Sequence, residues 1–527
     1  MQESLLLFGL MVVTVALAAF AKRFALPYPI VFVVGGGALA FIPHLPPLRI
    51  RSDLVFLIIL PPLLYSGGWL TDIREFKRNA RAIGLLAIGL VITTTLVVAW
   101  AAHAWVPGLA WPAAFALGAI VSPPDAVAAG AVFERFNVPR RIMSILEGEG
   151  LVNDATALTI YRFAVAAALT GAFSLTNATI AFVVVAVGGV AVGLAIGWIV
   201  AKVTRALNAL GVSDTMLDNL MLLLAPYAAY LSADSLQLSG VLAAVVAGVY
   251  ASRSSSHILE PASRLTSYAI WELMIFLFNA FLFLSIGLEV REIVTDPAIG
   301  ARYLVPGIAI SVLCIVVRIA WVFPATYVPR WLSARLRAKD PAPSWRSVAI
   351  IAWSGMRGIV SLAAALALPN LGSGQSFPGR PAILFITFCV ILATLVVQGL
   401  SLIPIVKYLG LRGGEKLEEQ ETTVRVAALR AGVTQLRKLE PKFDSIDEWE
   451  VEGRIVAEYA YRIQHLEGHA HGDQGESEGS RIDHRLQGEA LRAERREIMR
   501  LRENGEIPDE IFRRIEYDLD LADERLS

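Results

Sequence analysis

Three side chains suited to ion chemistry lie in one apolar segment that runs from about residue 142 to residue 169. The segment is long enough to cross a bilayer, which takes ~20 residues, yet it contains Glu149, Asn153 and Asp154. Asn153 follows Glu149 by four residues, so both lie on one helix face, and Asp154 is one step round the helix. Ionisable groups at that depth are costly and mark functional sites. We expect an acid here that exchanges a proton for a metal cation.

Asn153 and Asp154 also predict how much net charge one transport cycle moves across the membrane. Asp154 could be a carboxylate kept neutral at a helix interface, and Asn153 could satisfy a backbone group. A buried acid poised between protonated and cation-bound states is, however, what coupled exchange requires. If Asp154 is the one group that titrates, one proton is exchanged for each monovalent cation and transport is electroneutral. A second acid in place of Asn153 would instead predict two protons per cycle and electrogenic exchange.

Two other apolar segments are interrupted near their middles. Proline removes a backbone donor and clashes with the preceding turn, whereas glycine is flexible, so both sequences should break a helix. Kinked helices are the simpler interpretation, but interruptions at corresponding positions of two halves point to a transporter site built from inverted repeats. The interruptions are Ser122-Pro123-Pro124-Asp125 in segment 109–134 and Ser354-Gly355-Met356-Arg357-Gly358 in segment 346–369.

Charged residues at these interruptions fit the ends of broken helices. Two facing helix N-termini carry positive partial charge and two C-termini carry negative partial charge, each about half an elementary charge. We therefore predict that Asp125 neutralises the N-termini and Arg357 the C-termini. We expect Arg318 to pair with Glu149, because each uncompensated charge would cost several kcal/mol in this setting. Arg162, eight residues beyond Asp154 in segment 140–170, is interpreted as a snorkelling or interface residue.

The composition is that of a protein that crosses the bilayer many times. Of 527 residues, 56% are hydrophobic and 17% are charged, whereas soluble globular proteins average roughly 25% charged. Cys314 and Cys389 are the two cysteines, each in an apolar segment, so disulfides and cysteine metal sites have no support. Apolar runs bounded by charge or turn residues predict about thirteen transmembrane helices. They lie near residues 4–21, 27–44, 53–70, 80–103, 109–134, 140–170, 178–203, 214–232, 237–251, 266–289, 302–323, 346–369 and 381–408.

Lysine and arginine concentrate in alternate loops, and this bias orients the predicted spans. These residues favour cytoplasmic loops, and the alternation holds loop by loop. The sequence therefore predicts a multi-pass protein of the cell inner membrane, with its N-terminus outside and a cytoplasmic C-terminal tail. The first apolar run could be misread as a signal peptide, but Glu3 precedes it and Lys22-Arg23 follow it, which fits a first span.

The chain is predicted to comprise a transmembrane domain at 1–410 and a helical cytoplasmic tail at 411–527. The tail has the apolar periodicity of about four amphipathic helices, with a Gly/His/Ser linker near residues 468–480. We interpret it as a regulatory or packing domain. Four histidines cluster there, and a solvated linker is weighed against pH sensing or metal binding. They are His465, His469, His471 and His484.

Together these motifs resemble the sodium/proton exchanger branch of the monovalent cation:proton antiporter superfamily, over roughly residues 1–410. The matching motifs are Gly148-Glu149 with Leu151-Val152-Asn153-Asp154, Ser122-Pro123-Pro124-Asp125, Gly355-Met356-Arg357-Gly358, Arg318, and Leu60-Pro61-Pro62-Leu63-Leu64. The resemblance implies an all-α fold with inverted repeats and two interrupted crossing helices, in which a core domain moves against a dimerisation domain by elevator-like alternating access. It also implies homodimers.

The resemblance assigns roles to the acids and departs from the family at two positions. It implies that Asp154 binds both proton and cation, that Asp125 assists at the crossover, and that Glu149 pairs with an arginine. Related sequences often carry Ser where this chain has Gly150, and often carry Thr where it has Pro124. A hydroxyl ligand is lost at each position, whereas the carbonyl of Pro124 is kept.

The predicted function is secondary active antiport of Na⁺ for H⁺, electroneutral at one to one, serving pH and sodium homeostasis. Both ions compete for Asp154, which is the expected ligand of transported Na⁺. Transport of Li⁺ or K⁺, and hence a K⁺/H⁺ antiporter on the same scaffold, stays open. No enzymatic activity, cofactor or nucleic-acid partner is expected; the expected partners are the ions, membrane lipid and a second copy of the chain.

Two alternatives come from other functional classes. An intramembrane aspartyl protease using Asp125 and Asp154 is a remote one, because such enzymes carry Gly-x-Gly-Asp and here Gly148-Glu149-Gly150 is followed by Leu151. A channel or sensor without coupling is the other. An intramembrane acid next to an amide, together with two interrupted helices, fits coupled exchange better than either.

Overall fold

The computed structural model describes residues 2–24, 26–42, 55–133, 138–171, 175–212, 214–291, 300–371, 375–410, 415–439, 446–470 and 478–504, with a few further positions up to 522. The chain divides into two compact units, Met1–Arg412 and Gly413–Ser527, close to the predicted domain boundary after residue 410. The first unit holds all the predicted site residues.

Helices of the first unit follow the apolar segments of the sequence, and each of the thirteen predicted runs contains helix. In chain order they are α1 (Gln2–Arg23), α2 (Tyr28–Ala40), α3 (Val55–Leu70), α4 (Ile73–Trp105), α5 (Trp111–Val121), α6 (Ala126–Phe133), α7 (Arg140–Thr170), α8 (Leu175–Ala209), α9 (Thr215–Ser235), α10 (Gly240–Ile258), α11 (Pro261–Leu288), α12 (Gly300–Leu332), α13 (Ala334–Lys339), α14 (Trp345–Trp353), α15 (Ile359–Leu366) and α16 (Arg380–Leu409). Helix α4 contains a π-helical stretch at Leu85–Leu90, and α16 contains one at Thr394–Gln398.

The predicted class, an all-α polytopic membrane protein, is confirmed. Seven helical segments within the described ranges, with α5 and α6 counted as one, are long and apolar enough to cross a membrane, and α2 and α3 are apolar but shorter. The count of thirteen crossings stays a prediction, because length and apolar composition do not distinguish the remaining helices from buried ones. A two-residue antiparallel ladder, in which Asn370 pairs with Ser376, joins α15 to α16.

Helix ends coincide with the two interruptions in the sequence. Helix α5 ends at Val121 and α6 begins at Ala126, because Pro123 and Pro124 supply no backbone N–H to continue the ladder. Helix α14 ends at Trp353 and α15 begins at Ile359, with the stretch 354–358 running non-helically between them. Each interrupted segment therefore presents one helix C-terminus and one helix N-terminus inside the protein.

Packing brings the two interrupted segments together and flanks them with two long helices. Helix α5 contacts α15, so the broken segments meet directly. Helix α7, which carries Glu149, Asn153 and Asp154, packs against α4, α5 and α6 and also reaches α14. Helix α12, which carries Arg318, packs against α14 and α16. These contacts bring together the helices that carry Asp125, Glu149, Asp154, Arg318 and Arg357.

The second unit consists, in its described part, of three helices, α17 (Glu415–Leu439), α18 (Ile446–Ala470) and α19 (Glu478–Glu503). Helices α17 and α18 pack together, with the Tyr459 ring against Gly432. Most of the predicted fourth helix lies outside the described residues, as do His471 and the side chains of the other three clustered histidines. The interpretation of that cluster and the role of the tail stay predictions.

Candidate ion site

Asp125 lies where the N-termini of two half-helices approach each other. Its Oδ1 accepts the backbone N–H groups of Val127 at 2.9 Å and Ala128 at 3.4 Å, at the start of α6. Its own N–H donates to the Met356 carbonyl at 2.7 Å, and a Cβ placed on Gly358, the residue before α15, would collide with Asp125 Oδ2. A carboxylate so placed compensates the positive ends of both half-helices.

Arg357 holds the opposite position, at the carbonyl ends of the other two half-helices. It is fully buried, and its Nε donates to the Val121 carbonyl at 2.8 Å, where α5 ends. Its Nη1 donates at 2.8 Å to the carbonyl of Gly355, just after α14. One guanidinium therefore meets carbonyls from both interrupted segments, which is where the negative ends of helix dipoles need a cation.

Glu149 and Arg318 form a bidentate ion pair between α7 and α12. The Nη1–Oε1 distance is 2.6 Å and the Nη2–Oε2 distance is 2.9 Å, with side-chain exposures of 1% for Glu149 and 0% for Arg318. Arg318 also donates from Nε and Nη2 to the Ile351 carbonyl of α14, at 3.2 and 3.1 Å. Both charges are neutralised within the pair, so neither is available to a third ion.

Asn153 and Asp154 stand beside the crossing but differ in their surroundings. Asn153 is fully buried and donates from Nδ2 to the Pro124 carbonyl at 2.9 Å, while its Oδ1 has no hydrogen-bond partner in the structure. Asp154 is half-buried, and across the described ranges its carboxylate takes part in no hydrogen bond or ion pair. Asp125 is near enough to interact with it electrostatically. Asp154 is thus the free acid of the group.

The remaining predicted residues shape the two breaks, and one charge lies apart. Ser122 is buried and donates to the Ala119 carbonyl at 3.0 Å, while Pro123 and Pro124 are buried beside it. Gly355 lets the Arg318 side chain pass, because a Cβ there would overlap Arg318 Cδ. Arg162, interpreted from sequence as a snorkelling or interface residue, forms a half-exposed ion pair of 3.0 Å with Asp234 of α9.

Comparison with known proteins decides the family. The family described as sodium/hydrogen exchanger, transmembrane, matches residues 10–408 of the 527. The chain belongs to the sodium/hydrogen exchanger family. This confirms the resemblance drawn from the motifs and makes the chain a member of a family of transporters.

Relatives of this exchanger agree with the assignment. The uncharacterized Na⁺/H⁺ exchanger YjcE of Escherichia coli is 31% identical, over 98% of this chain and 97% of the relative. A sodium, potassium, lithium and rubidium/H⁺ antiporter of Bacillus pumilus is 34% identical, over 72% of this chain and 57% of the relative's longer chain. The sodium proton antiporter MjNhaP1 of Methanocaldococcus jannaschii has the same fold, with a TM-score of 0.56 at 20% identity over 78% of this chain and 99% of that chain.

Sequence reasoning missed two polar residues of α16 that brace the exchanger's second break. Both are fully buried: Thr394 Oγ1 accepts the backbone N–H of Arg357 at 2.9 Å, and Gln398 Nε2 donates to the Trp353 carbonyl at 2.9 Å. They lie at the two ends of the π-helical stretch of α16. Their polar character inside a mostly apolar span was the available signal, but Thr387 and Ser401 share that span, so the sequence does not single them out.

A hard cation in the exchanger would have to be bound by oxygen atoms that are not already used. No cluster of three or more His, Cys, Asp or Glu residues able to hold a metal occurs in the part of the chain that the structure describes. The oxygens on hand near the crossing are the Asp154 carboxylate, the buried Oδ1 of Asn153, and carbonyls freed at the breaks. One carboxylate with neutral oxygens suits a weakly held alkali cation that must leave again.

We expect Gly358→Ala to destabilise the exchanger by about 1–3 kcal/mol, the usual cost of overpacking a tight core. The added methyl group would displace the Asp125 carboxylate from the N-terminus of α15. Thermal unfolding of the purified protein measures the effect. Gly84→Ala in α4 is the matched control, because nothing lies within 4 Å of a Cβ there. Equal stability of the two variants would mean that Asp125 is not held against Gly358.

Proposed function

We propose that this protein is an electroneutral Na⁺/H⁺ antiporter in which one Na⁺ and one H⁺ compete for Asp154. The observation that carries the proposal is the free carboxylate of Asp154, half-buried on α7 beside the crossing of two interrupted helices. An acid without a fixed partner can exchange a proton for a cation at little structural cost. Competition for one carboxylate couples the two fluxes, because the loaded site carries either ion but not both.

The surroundings of the other charges support a stoichiometry of one to one. Glu149 is neutralised by Arg318 through two hydrogen bonds, and Asn153 carries no charge. Asp125 accepts two backbone N–H groups at a helix N-terminus, an arrangement that suits a permanent negative charge. Asp154 is then the one group of the crossing that changes protonation during a cycle. Its exchange of one proton for one monovalent cation moves no net charge.

The ligands that we propose for Na⁺ are the Asp154 carboxylate, Asn153 Oδ1, a carbonyl of the break between α5 and α6, and water. Asp125 assists electrostatically. Gly150 contributes no hydroxyl, and a Cβ at this position would come within 2.7 Å of the Ala126 Cβ. Helix α7 therefore approaches the start of α6 too closely for a serine there without a shift of Ala126. This close approach accounts for the departure from the family pattern at Gly150.

Potassium/proton exchange is the second candidate. The Bacillus pumilus relative is named as an antiporter for sodium, potassium, lithium and rubidium, and so is a Bacillus subtilis relative that is 30% identical over 94% of this chain. Neutral oxygens around one carboxylate do not by themselves discriminate strongly between alkali cations. Relatives of this kind give no support to an intramembrane protease.

Proton flux in proteoliposomes tests the proposal. The full-length protein is reconstituted, a pH gradient is imposed, and Na⁺, Li⁺ or K⁺ is added with the membrane potential either clamped or free. We expect Na⁺ to drive proton counterflow at a rate that does not change with the potential. A flux that follows the potential would overturn the single-carboxylate stoichiometry. A lower half-saturation for K⁺ than for Na⁺ would replace sodium by potassium as the substrate.

The setting we propose for this exchange is the cell inner membrane, with the N-terminus outside and the tail in the cytoplasm. The alternation of basic loops supports that orientation. Homodimerisation and an elevator-like movement of the core are proposed on the family resemblance. Labelling of single-cysteine variants, in loops on either side, with a thiol reagent that does not cross the membrane measures the orientation directly.

A further inference from the structure

A cavity of about 250 Å³ lies between α4, α7, α12 and α14, away from Asp154. Its walls are mostly apolar, with Leu85, Ile142, Ile145, Val322 and Val348 among the lining residues. The volume exceeds the ~150 Å³ of an apolar cavity that accepts a benzene-sized guest. An aliphatic group, rather than a hydrated ion, matches these walls.

The rim of this cavity carries a surplus of positive charge. Arg81 of α4, Arg141 of α7 and Arg330 of α12 all line it, and all three contact the one carboxylate of Asp340. The distances to that carboxylate are 3.1 Å from Arg81, 2.6 Å from Arg141 and 2.6 Å from Arg330. Three guanidinium groups around one carboxylate leave two positive charges uncompensated among these four groups.

Asp340 stays ionised in this cluster, so the surplus persists. Partial burial acts to raise the pKa of the Asp340 carboxyl, but the hydrogen bond and charge of Arg141 and the charges of Arg330 and Arg81 outweigh it, and the pKa is lowered. The surplus of positive charge is therefore present throughout the neutral pH range. A basic pocket between membrane helices is the kind of site that binds the headgroups of anionic lipids.

One donor of a residue that lines the cavity is unused. Arg81 Nη1 is buried and has no hydrogen-bond partner in the structure, although Nη2 of the same residue contacts Asp340. The N-terminus of α14 also lines the cavity through its cap residue Ser344, and the positive end of a helix favours an anion. Ser344 Oγ already accepts the Ser347 N–H at 3.3 Å, so the guanidinium nitrogen of Arg81 is the donor that calls for a further acceptor.

We propose that this cavity binds an acidic phospholipid, with the phosphate on Arg81 and Arg141 and part of one acyl chain between the apolar walls. A phosphate group supplies the acceptor oxygen that Arg81 Nη1 lacks. The acyl chain supplies an apolar partner for the cavity walls. Inorganic phosphate lacks the acyl chain, and a zwitterionic lipid has no net negative charge to balance the surplus of the arginine cluster.

Occupancy would brace the half-helix that leads to the crossing. Ile351 of α14 lines the cavity, and its carbonyl is the acceptor of two hydrogen bonds from Arg318. A lipid wedged against α4, α7, α12 and α14 therefore stabilises the arrangement that holds the Glu149–Arg318 pair. This binding does not depend on which cation the protein transports, or on whether it transports one.

Binding to the purified full-length protein in a neutral detergent tests the proposal. Dioctanoyl phosphatidylglycerol, dioctanoyl phosphatidylcholine and inorganic phosphate are titrated separately, and the shift in Tm and the retained lipid in native mass spectrometry are recorded. We expect phosphatidylglycerol to raise Tm and to stay bound, and the other two compounds to do neither. An equal effect of phosphatidylcholine would overturn the headgroup assignment, and an equal effect of inorganic phosphate would overturn the lipid.

Two variants and one control locate the site. The double variant Arg81→Gln with Arg141→Gln should raise the phosphatidylglycerol concentration at half-saturation about ten-fold, since hydrogen bonds to charged groups are lost. Ala325→Leu fills the cavity without changing charge and should raise this concentration as well. Arg78→Gln, on the exposed side of α4 where Arg78 contacts Glu75, should leave it unchanged. Unaltered binding in both cavity variants would refute the site.

Discussion

Asp154→Asn is expected to reduce cation-driven proton flux to the level of protein-free liposomes. The amide has nearly the size of the carboxylate, but it neither takes up a proton nor balances the charge of a cation. Because the Asp154 carboxylate makes no hydrogen bond or ion pair with the described residues, its removal breaks no contact and the fold should keep its stability. Flux is measured with Na⁺, Li⁺ and K⁺, and thermal unfolding is measured on the same preparation.

Asp72→Asn provides the matched control for this substitution. Asp72 is the N-cap of α4 and accepts the Arg74 N–H at 2.9 Å and the Glu75 N–H at 3.3 Å, and asparagine caps helices about as well as aspartate does. The same chemical change there should leave exchange intact. Persistent exchange in Asp154→Asn would mean that Asp125 or Glu149 carries protons, and the stoichiometry of one to one would then be wrong.

Arg318→Ala is expected to destabilise the transmembrane unit by about 3–5 kcal/mol, the usual cost of leaving one charge of a buried pair without its partner. Glu149 is 1% exposed, and the Ile351 carbonyl would lose two donors at the same time. Thermal unfolding of the purified protein should therefore show a large decrease in Tm. Flux per inserted molecule should fall with it.

An exposed pair and a double replacement separate charge burial from the mere loss of an arginine. Arg492→Ala in α19 breaks a 2.7 Å contact with Glu489 between two largely exposed side chains, and such pairs contribute only about 0–1 kcal/mol. Replacing Arg318 by Met together with Glu149 by Leu should recover much of the stability lost in Arg318→Ala, because no buried charge is left unpaired. If the double variant is as unstable as the single one, packing rather than charge explains the loss.

Local chemistry made several features predictable from the sequence alone. The apolar runs located the helices, because only sequences of that composition are stable in lipid. Consecutive prolines and closely spaced glycines marked both breaks, since their backbone properties act within one turn of helix. The acids and arginines inside these runs marked the candidate site residues, because charges at that depth are costly and are kept where they serve a function. The assignment of Asp125 and Arg357 to opposite helix ends followed from the dipole alone.

Only the tertiary structure decided which groups meet. Arg357 reaches the carbonyl of Val121, 236 residues away, and Glu149 reaches Arg318 across 169 residues; no local pattern encodes the distance between such partners. The contacts of Thr394 and of the Asp340 cluster could not be predicted for the same reason, since a polar residue gains its role from the helix that packs against it. Among the residues that the structure describes, packing also left the Asp154 carboxylate without a hydrogen-bond or ion-pair partner, while Glu149 was paired with Arg318. Which acid stays unpaired depends on which helix faces come together, and the sequence pattern does not contain that information.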